Sequence, residues 1–145
     1  MFIRKILFAA PILVLGLAAC GGQADQPASG PSVKVTQTDL GPVLTDQAGR
    51  ALYGFTKDKE SPAACDADCI AVWPAFAGKA VAGQGAQGSL LGEAKPGEGA
   101  AQVTYNGWPL YYYVGDAVPG DVTGAGVDDA WFPVAADGAL VKKDS

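Results

Sequence analysis

Residues 110–116, Leu-Tyr-Tyr-Tyr-Val-Gly-Asp, decide the fold because the chain carries a second copy of them. The copy is residues 52–58, Leu-Tyr-Gly-Phe-Thr-Lys-Asp, and both stretches read Leu-Tyr-x-aromatic-x-x-Asp at an offset of 58 positions. The same offset relates Trp73 to Trp131. The chain is therefore built from two copies of one unit.

Each copy predicts a short strand followed by a turn. Side chains alternate between the two faces of a strand, so the first and third residues of the motif share one face, which we expect to be buried. The aspartate that follows is typical of a turn that a carboxylate caps by accepting backbone N–H bonds. The motif residues are Tyr53, Phe55 and Asp58 in the first copy and Tyr111, Tyr113 and Asp116 in the second.

Two aromatic residues in and just before the second motif stand where the first unit has no aromatic residue. Tyr112 stands where the first copy has Gly54, and Trp108 stands where it has Arg50. Alternation places Tyr112 on the face opposite the motif tyrosines. We expect Trp108 and Tyr112 to form a candidate binding surface on an outer face, with contact to the Gly-rich connector as the alternative.

Turn residues predict two hairpins and two further strands. Asn106-Gly107 lies between apolar runs and accepts the positive φ angles of a type I′ turn. Residues 46–50 form an Asp- and Gly-bearing loop between two other apolar runs. Residues 33–37 alternate as an edge strand does, and residues 139–141 are typical of a last short strand.

We therefore predict a mainly β fold of two tandem repeats, at about residues 40–76 and 98–134, packed as one pseudo-symmetric domain over residues 33–145. Because a single hairpin is marginal in water, the two motif strands are expected to meet near the pseudo-axis. A short helical turn is predicted near residues 65–71.

Cys65 and Cys69 are predicted to lie on that turn. An extended strand would hold positions four apart about 13 Å from each other, too far for a disulfide, whereas a distorted helical turn brings them close. A structural disulfide is the favoured interpretation in an exported chain. A redox-active pair and a soft-metal site, such as Cu(I) on two thiolates, stay open as alternatives.

The N-terminus has the layout of an export signal. Arg4 and Lys5 precede an apolar run at residues 6–17 that is too short for a stable transmembrane helix. Residues 17–20, Leu-Ala-Ala-Cys, resemble the lipobox of bacterial lipoproteins, which implies that the signal of residues 1–19 is removed and that Cys20 is lipidated with fatty acids such as palmitate. An ordinary secretory signal is the alternative.

A lipid anchor on Cys20 implies that the protein is held at a membrane of the bacterial cell envelope. Two or more acyl chains on Cys20 would hold the protein stably in a lipid bilayer. Gly21 rather than Asp after the cysteine favours the outer membrane, facing the periplasm, in a two-membrane bacterium. Residues 20–32 are then the lipidated cysteine and a flexible tether, which spans roughly 20 Å.

Composition excludes several classes of function. The chain has no histidine, which removes His-based hydrolytic triads and His-ligated zinc or haem. Without Arg4 and Lys5, eight basic residues stand against 15 acidic ones, a net charge of about −7. Such a surface repels nucleic acid, so no nucleic-acid partner is expected.

The tandem motif, the lipobox, Trp73-Pro74 and residues 106–111 together resemble a predicted bacterial lipoprotein family, the secreted repeat of unknown function. The resemblance covers residues 40–134. It implies an envelope lipoprotein of paired β-rich repeats and supplies no catalytic residue.

Three functional hypotheses follow. The first is a non-enzymatic module that binds an envelope protein or a cell-wall component, with no cofactor and no metal. The second is an envelope electron-transfer or copper accessory protein, suggested by the aromatic residues and the cysteine pair. The third is a hydrolase using paired carboxylates, for which Asp58 and Asp116 would have to lie within about 5–10 Å of each other.

Overall fold

A computed structural model describes residues 30–61, 64–95 and 100–143. The predicted signal, Cys20 and most of the tether lie outside the described residues. Within the described ranges, no helix is long and apolar enough to cross a membrane.

The first sheet begins the domain and contains three strands. Strand β1 (Ser32–Thr38) pairs antiparallel with β2 (Gly41–Asp46), with Val35 opposite Leu44. Strand β4 (Val81–Ala82) pairs parallel with the other side of β1. The prediction of an edge strand at residues 33–37 is therefore wrong, because two residues of the connector cover the open side of β1.

The second sheet repeats this hairpin in the other unit. It contains β5 (Leu91–Ala94), β6 (Gln102–Tyr105) and β7 (Trp108–Pro109), in that order. The turn between β6 and β7 is Asn106-Gly107, with φ angles of 51° and 81°. The prediction of a positive-φ turn at this dipeptide is confirmed.

The third sheet joins the two units by exchanging strands. Strand β3 (Tyr53–Phe55) of the first unit pairs antiparallel with β8 (Trp131–Pro133) of the second. The symmetric contact pairs the second motif with the first unit, since Ala75 bridges to Tyr111.

The two motif tyrosines pair at the centre of this arrangement. The amide of Tyr53 donates to the carbonyl of Tyr111 at 2.8 Å, and the reverse bond is 3.0 Å. The two motif strands therefore meet at the pseudo-axis, and the mainly β fold of two tandem repeats is confirmed.

A short helix, α1 (Ala67–Val72), directly precedes Trp73. Asp66 caps its N-terminus, where the carboxylate accepts from the Cys69 amide at 3.0 Å. The turn brings the Cα atoms of Cys65 and Cys69 to 5.2 Å, and the two residues form a disulfide. The predicted helical turn near the cysteines is confirmed.

The interior divides into two apolar clusters. One lies between the hairpin sheets and includes Val33, Leu44, Leu52, Val103 and Leu110, which are all fully buried. The other lies around the pseudo-axis and contains the motif tyrosines, the two equivalent tryptophans and the disulfide. The second cluster is where residues of the two motifs meet.

Gly54, at the middle of β3, packs closely against side chains of the second unit and the C-terminal segment. A Cβ atom there would lie 2.8 Å from a terminal methyl of Leu140 and 3.5 Å from the Trp108 ring. The equivalent residue of the other unit is Tyr112, so a residue without a side chain in one unit corresponds to a large aromatic ring in the other. In the first unit, the space beside β3 is occupied by side chains from the second unit and the C-terminal segment.

We expect Gly54→Ala to lower the free energy of unfolding by about 1–3 kcal/mol, since it overpacks the site. Leu140→Ala removes the atom that the new methyl would meet, so the double variant should lose less stability than the two single variants together. Urea unfolding of all three variants measures this coupling. Strict additivity would contradict the packing described for Gly54.

Candidate functional site

The hydroxyl groups of the two motif tyrosines cross the pseudo-axis to the aspartates of the opposite motif. Tyr53 Oη donates to Asp116 Oδ2 at 2.7 Å. Tyr111 Oη donates to Asp58 Oδ2 at 2.8 Å. Each copy of the motif therefore completes the other, and the two copies are held together by a pair of hydrogen bonds to charged acceptors.

The second oxygen of each carboxylate caps a turn. Asp58 Oδ1 accepts from the Ala64 amide at 3.3 Å. Asp116 Oδ1 accepts from the amide of Thr123 at 2.9 Å and from its hydroxyl at 2.6 Å. The structure thus shows the capping expected of these aspartates, together with bonds to tyrosine that the sequence pattern did not predict.

Four aromatic rings form one stacked column through the same region. Trp73 and Trp131 stack at the pseudo-axis with centroids 3.9 Å apart and planes 1° apart. Phe55 stacks on Trp131 at 4.1 Å, and Tyr113 stacks on Trp73 at 4.4 Å. The column runs Phe55, Trp131, Trp73, Tyr113, so each ring stacks on a ring from the other unit.

The ends of the column are covered. The Lys57 ammonium lies 5.8 Å from the centroid of the Phe55 ring. At the other end, Cβ atoms at Gly115 and Gly124 would come within 2.5 Å and 2.9 Å of atoms of the Tyr113 ring. Only a residue without a side chain fits against the ring there, so the glycine backbone covers Tyr113.

Burial changes the acidity of the groups in the cross-unit bonds. Burial, and then the hydrogen bond to Asp116, raises the pKa of Tyr53 well above its ordinary value of 10.0. Burial and the bond to Asp58 raise the pKa of Tyr111 in the same way. Burial also raises the pKa of Asp58 above 3.8, against the lowering effect of the bonds from Tyr111 and Ala64.

Trp108 and Tyr112 do not lie on an open outer face. Trp108 is only 7% exposed, and its ring packs beside Gly54. Tyr112 is half-buried, and its hydroxyl donates to Asp46 Oδ2 at 2.8 Å. The expected exposure of Trp108 is therefore wrong, because the first unit and the C-terminal segment cover its face of the strand.

The two residues occupy equivalent places in the pseudo-symmetric fold. The Arg50 guanidinium lies 4.5 Å over the Tyr112 ring. By the offset of 58, Arg50 corresponds to Trp108 and Tyr112 to Gly54. The Trp108 ring beside Gly54 is therefore equivalent to the Arg50 guanidinium over the Tyr112 ring.

An open cleft of about 480 Å³ lies beside Trp108. The Lys59 ammonium is 4.8 Å from the centroid of the Trp108 ring. Across the cleft, the Lys142 ammonium is 5.5 Å from the Phe132 ring. The remaining lining residues are Thr56, Asn106, Gly138, Ala139 and Leu140.

We call this space the Trp108 cleft. Its volume is in the range of small-ligand sites. The apolar floor and the two ammonium groups suit a ring that carries negative charge. A smaller cleft of about 210 Å³, lined by Asp58, Lys59 and Asn106 among others, also borders Trp108.

The two cysteines are joined in a disulfide beside the core. The Cys65–Cys69 disulfide packs against the cluster around the pseudo-axis, and both sulfur atoms are used in that bond. Among the described residues, no group of three or more Cys, Asp or Glu side chains is placed to hold a metal ion.

A family model described as a secreted repeat of unknown function matches the chain twice, at residues 34–77 and 93–135. Each match includes one copy of the tyrosine–aspartate motif and the tryptophan that stacks at the pseudo-axis. No curated protein and no solved structure matches the chain significantly.

Removing either cross-unit hydroxyl should destabilise the protein. We expect Tyr53→Phe and Tyr111→Phe each to lower the free energy of unfolding by about 1.5–3 kcal/mol, since each removes the phenol donor from one oxygen of a half-buried carboxylate. Tyr105→Phe is the matched control, because its hydroxyl donates to the neutral carbonyl of Ala136 at 2.6 Å. Its expected cost is about 0.5–1.5 kcal/mol. Urea denaturation compares them, and equal losses in all three would refute the special role of the cross-unit bonds.

Alkaline pH should unfold the protein as its buried phenols ionise. The folded-state pKa values of Tyr53, Tyr111 and Tyr112 lie above the ordinary 10.0, so their contribution is complete below pH 10.0. Above it, the unfolded state loses protons first and stability falls with rising pH. Tyrosinate absorbance followed together with circular dichroism should show these phenols ionising only as the fold is lost. Full titration of all five tyrosines in a native fold would contradict this.

Proposed function

The chain belongs to the family of secreted repeats of unknown function, and from that premise we propose that it is a non-enzymatic binding module of the bacterial cell envelope. The lipobox-like residues 17–20 support anchoring through lipidated Cys20. The tether of residues 20–32 would then let the domain reach ligands near the membrane surface, facing the periplasm in a two-membrane bacterium.

The observation that carries the proposal is the Trp108 cleft. It combines an indole edge with the Lys59 and Lys142 ammonium groups, in a mature chain whose net charge is about −7. A local pair of cations on an acidic protein selects anionic ligands and disfavours cationic ones. The apolar floor offers a surface on which a ring can pack.

We propose a carboxylate-bearing fragment of the cell wall as the ligand. The sugar rings and peptide carboxylates of muropeptides combine the two features that the Trp108 cleft favours, a ring face and negative charge. Binding would rest on residues of both units, since Thr56 and Lys59 come from the first and Trp108 from the second.

The carboxylates give less support to the hydrolase hypothesis. Asp58 and Asp116 accept from tyrosine hydroxyls of opposite units, and their other oxygens cap turns. Groups held in this way are placed to stabilise the fold. We therefore keep the binding module as the proposal.

The test is a titration of the mature protein with soluble muropeptides, followed through the Trp108 indole N–H resonance. We expect Lys59→Gln and Lys142→Gln each to weaken binding about twofold to fivefold, which corresponds to roughly 0.5–1 kcal/mol for an exposed charge. Added salt should weaken binding further, because it screens exposed charges.

Lys79→Gln is the matched control, since it removes the same charge from an exposed position that does not line the cleft. A neutral chito-oligosaccharide is the matched ligand, because it has the sugar rings without the carboxylates. The proposal fails if the Trp108 resonance does not move, or if Lys79→Gln weakens binding as much as the cleft variants do.

A further inference from the structure

The aromatic column places two tyrosines edge-on against a stacked pair of tryptophans. The centroid of the Tyr53 ring is 5.3 Å from that of Trp73, and Tyr111 is 5.1 Å from Trp131. The two indoles are 3.9 Å apart and almost parallel. Rings in such contact overlap enough for an electron to pass between them, and a stacked indole pair spreads the charge left by a lost electron over both rings.

Each of these tyrosines already holds a hydrogen bond to a base. The hydroxyls of Tyr53 and Tyr111 donate to the carboxylates of Asp116 and Asp58 at 2.7 Å and 2.8 Å. A phenol that loses an electron becomes a strong acid, so its oxidation is easiest where an acceptor is in place to take the proton. In this core the acceptor is a carboxylate that the fold holds in position through turn hydrogen bonds.

The column can be reached from solvent along one edge. A cleft of about 300 Å³ is lined by Phe55, Trp73, Tyr113 and Trp131, together with Cys69 and residues of the 3₁₀ turn Val127–Asp129. The two tryptophans are only 4% and 2% exposed, so a reagent in the cleft meets their edges only. Electron transfer requires only that the reagent come close to the rings, without forming a bond to them.

We propose that the inter-unit core is a one-electron donor that reduces diffusible radical oxidants in the envelope. The oxidant takes one electron from the Trp73–Trp131 pair and leaves an indole radical cation. Tyr53 returns an electron to the indole pair while its phenolic proton moves to Asp116. The products are the reduced oxidant, a neutral tyrosyl radical and a protonated Asp116.

The second half of the core performs the same step with Tyr111 and Asp58. A quinol-class reductant then restores the starting state: it gives one electron to the tyrosyl radical and becomes a semiquinone, releasing a proton to solvent, while the aspartic acid returns its proton to the phenolate. The disulfide keeps its bond throughout. This activity goes beyond the proposed binding role and does not depend on it.

The chain contains its own control for the tyrosine–carboxylate bond. Tyr112 donates to Asp46 at 2.8 Å, which is the same bond as in the core. Its aromatic neighbour is Phe76, at 5.4 Å, in place of a tryptophan. The Arg50 guanidinium 4.5 Å over its ring also opposes the loss of an electron.

The experiment oxidises the mature protein with photogenerated tris-bipyridine ruthenium(III) and freezes it for electron paramagnetic resonance. We expect a neutral tyrosyl radical in the unmodified protein and in Tyr112→Phe. In the double variant Tyr53→Phe/Tyr111→Phe the tyrosyl signal should give way to a tryptophanyl radical. Circular dichroism and intact mass establish that each variant keeps its fold and its disulfide.

A tyrosyl radical that persists in the folded double variant, or that is lost equally in Tyr112→Phe, would overturn the proposal. If the double variant does not fold, the unmodified protein decides the question, because the proton moves together with the electron. Formation of the tyrosyl radical should then be slower in D₂O than in H₂O. An equal rate in the two solvents would refute the transfer to the aspartates.

Discussion

The hydrogen bond from a tyrosine of one motif to the aspartate of the other is the constraint on which the rest of the structure depends. Because Tyr53 reaches Asp116 and Tyr111 reaches Asp58, neither motif is satisfied within its own unit. The strands also pair between the units, since β3 of the first unit pairs with β8 of the second. A single unit would expose half-buried carboxylates, phenols and strand edges, each of which costs free energy when it lacks its partner. These contacts therefore predict that the two units unfold together.

The differences between the units create the surface features. Arg50 covers Tyr112 on one side of the pseudo-axis, whereas its counterpart Trp108 lies over Gly54 on the other. The open cleft borders Trp108, and Lys59, which also lines it, has Ala117 as its counterpart at the offset of 58. Two lining residues of the cleft therefore differ from their equivalents in the other unit. The repeat accounts for the shared core, whereas these substitutions distinguish the candidate binding site.

Local patterns in the sequence were enough to predict several of the elements. The Asn106-Gly107 turn, the helical turn at the cysteines and the meeting of the motif strands follow from turn chemistry and from the repeat itself. The tyrosine partner of each motif aspartate was not predicted. The position of an aspartate after a strand predicts a local turn cap, but it does not show that a tyrosine of the other copy bonds to it. The two copies of Tyr-x-x-x-x-Asp were the available signal, since a repeated donor and acceptor suggest a reciprocal pair.

The burial of the strand face that carries Trp108 and Tyr112 was the second feature that the sequence did not predict. Alternation separated Trp108 and Tyr112 correctly from the Tyr111 face, but it cannot say whether a later segment covers the face they occupy. Leu140 packs there although residues 139–141 form only an isolated bridge, and a two-residue strand without periodicity covers β1. Short connectors carry too few residues for a pattern, yet each one changes an exposed face into a buried one. For this reason Trp108 and Tyr112, which the sequence placed on an outer face, mostly contact the protein itself, and the proposed ligand site is limited to the edge of Trp108 that borders the cleft.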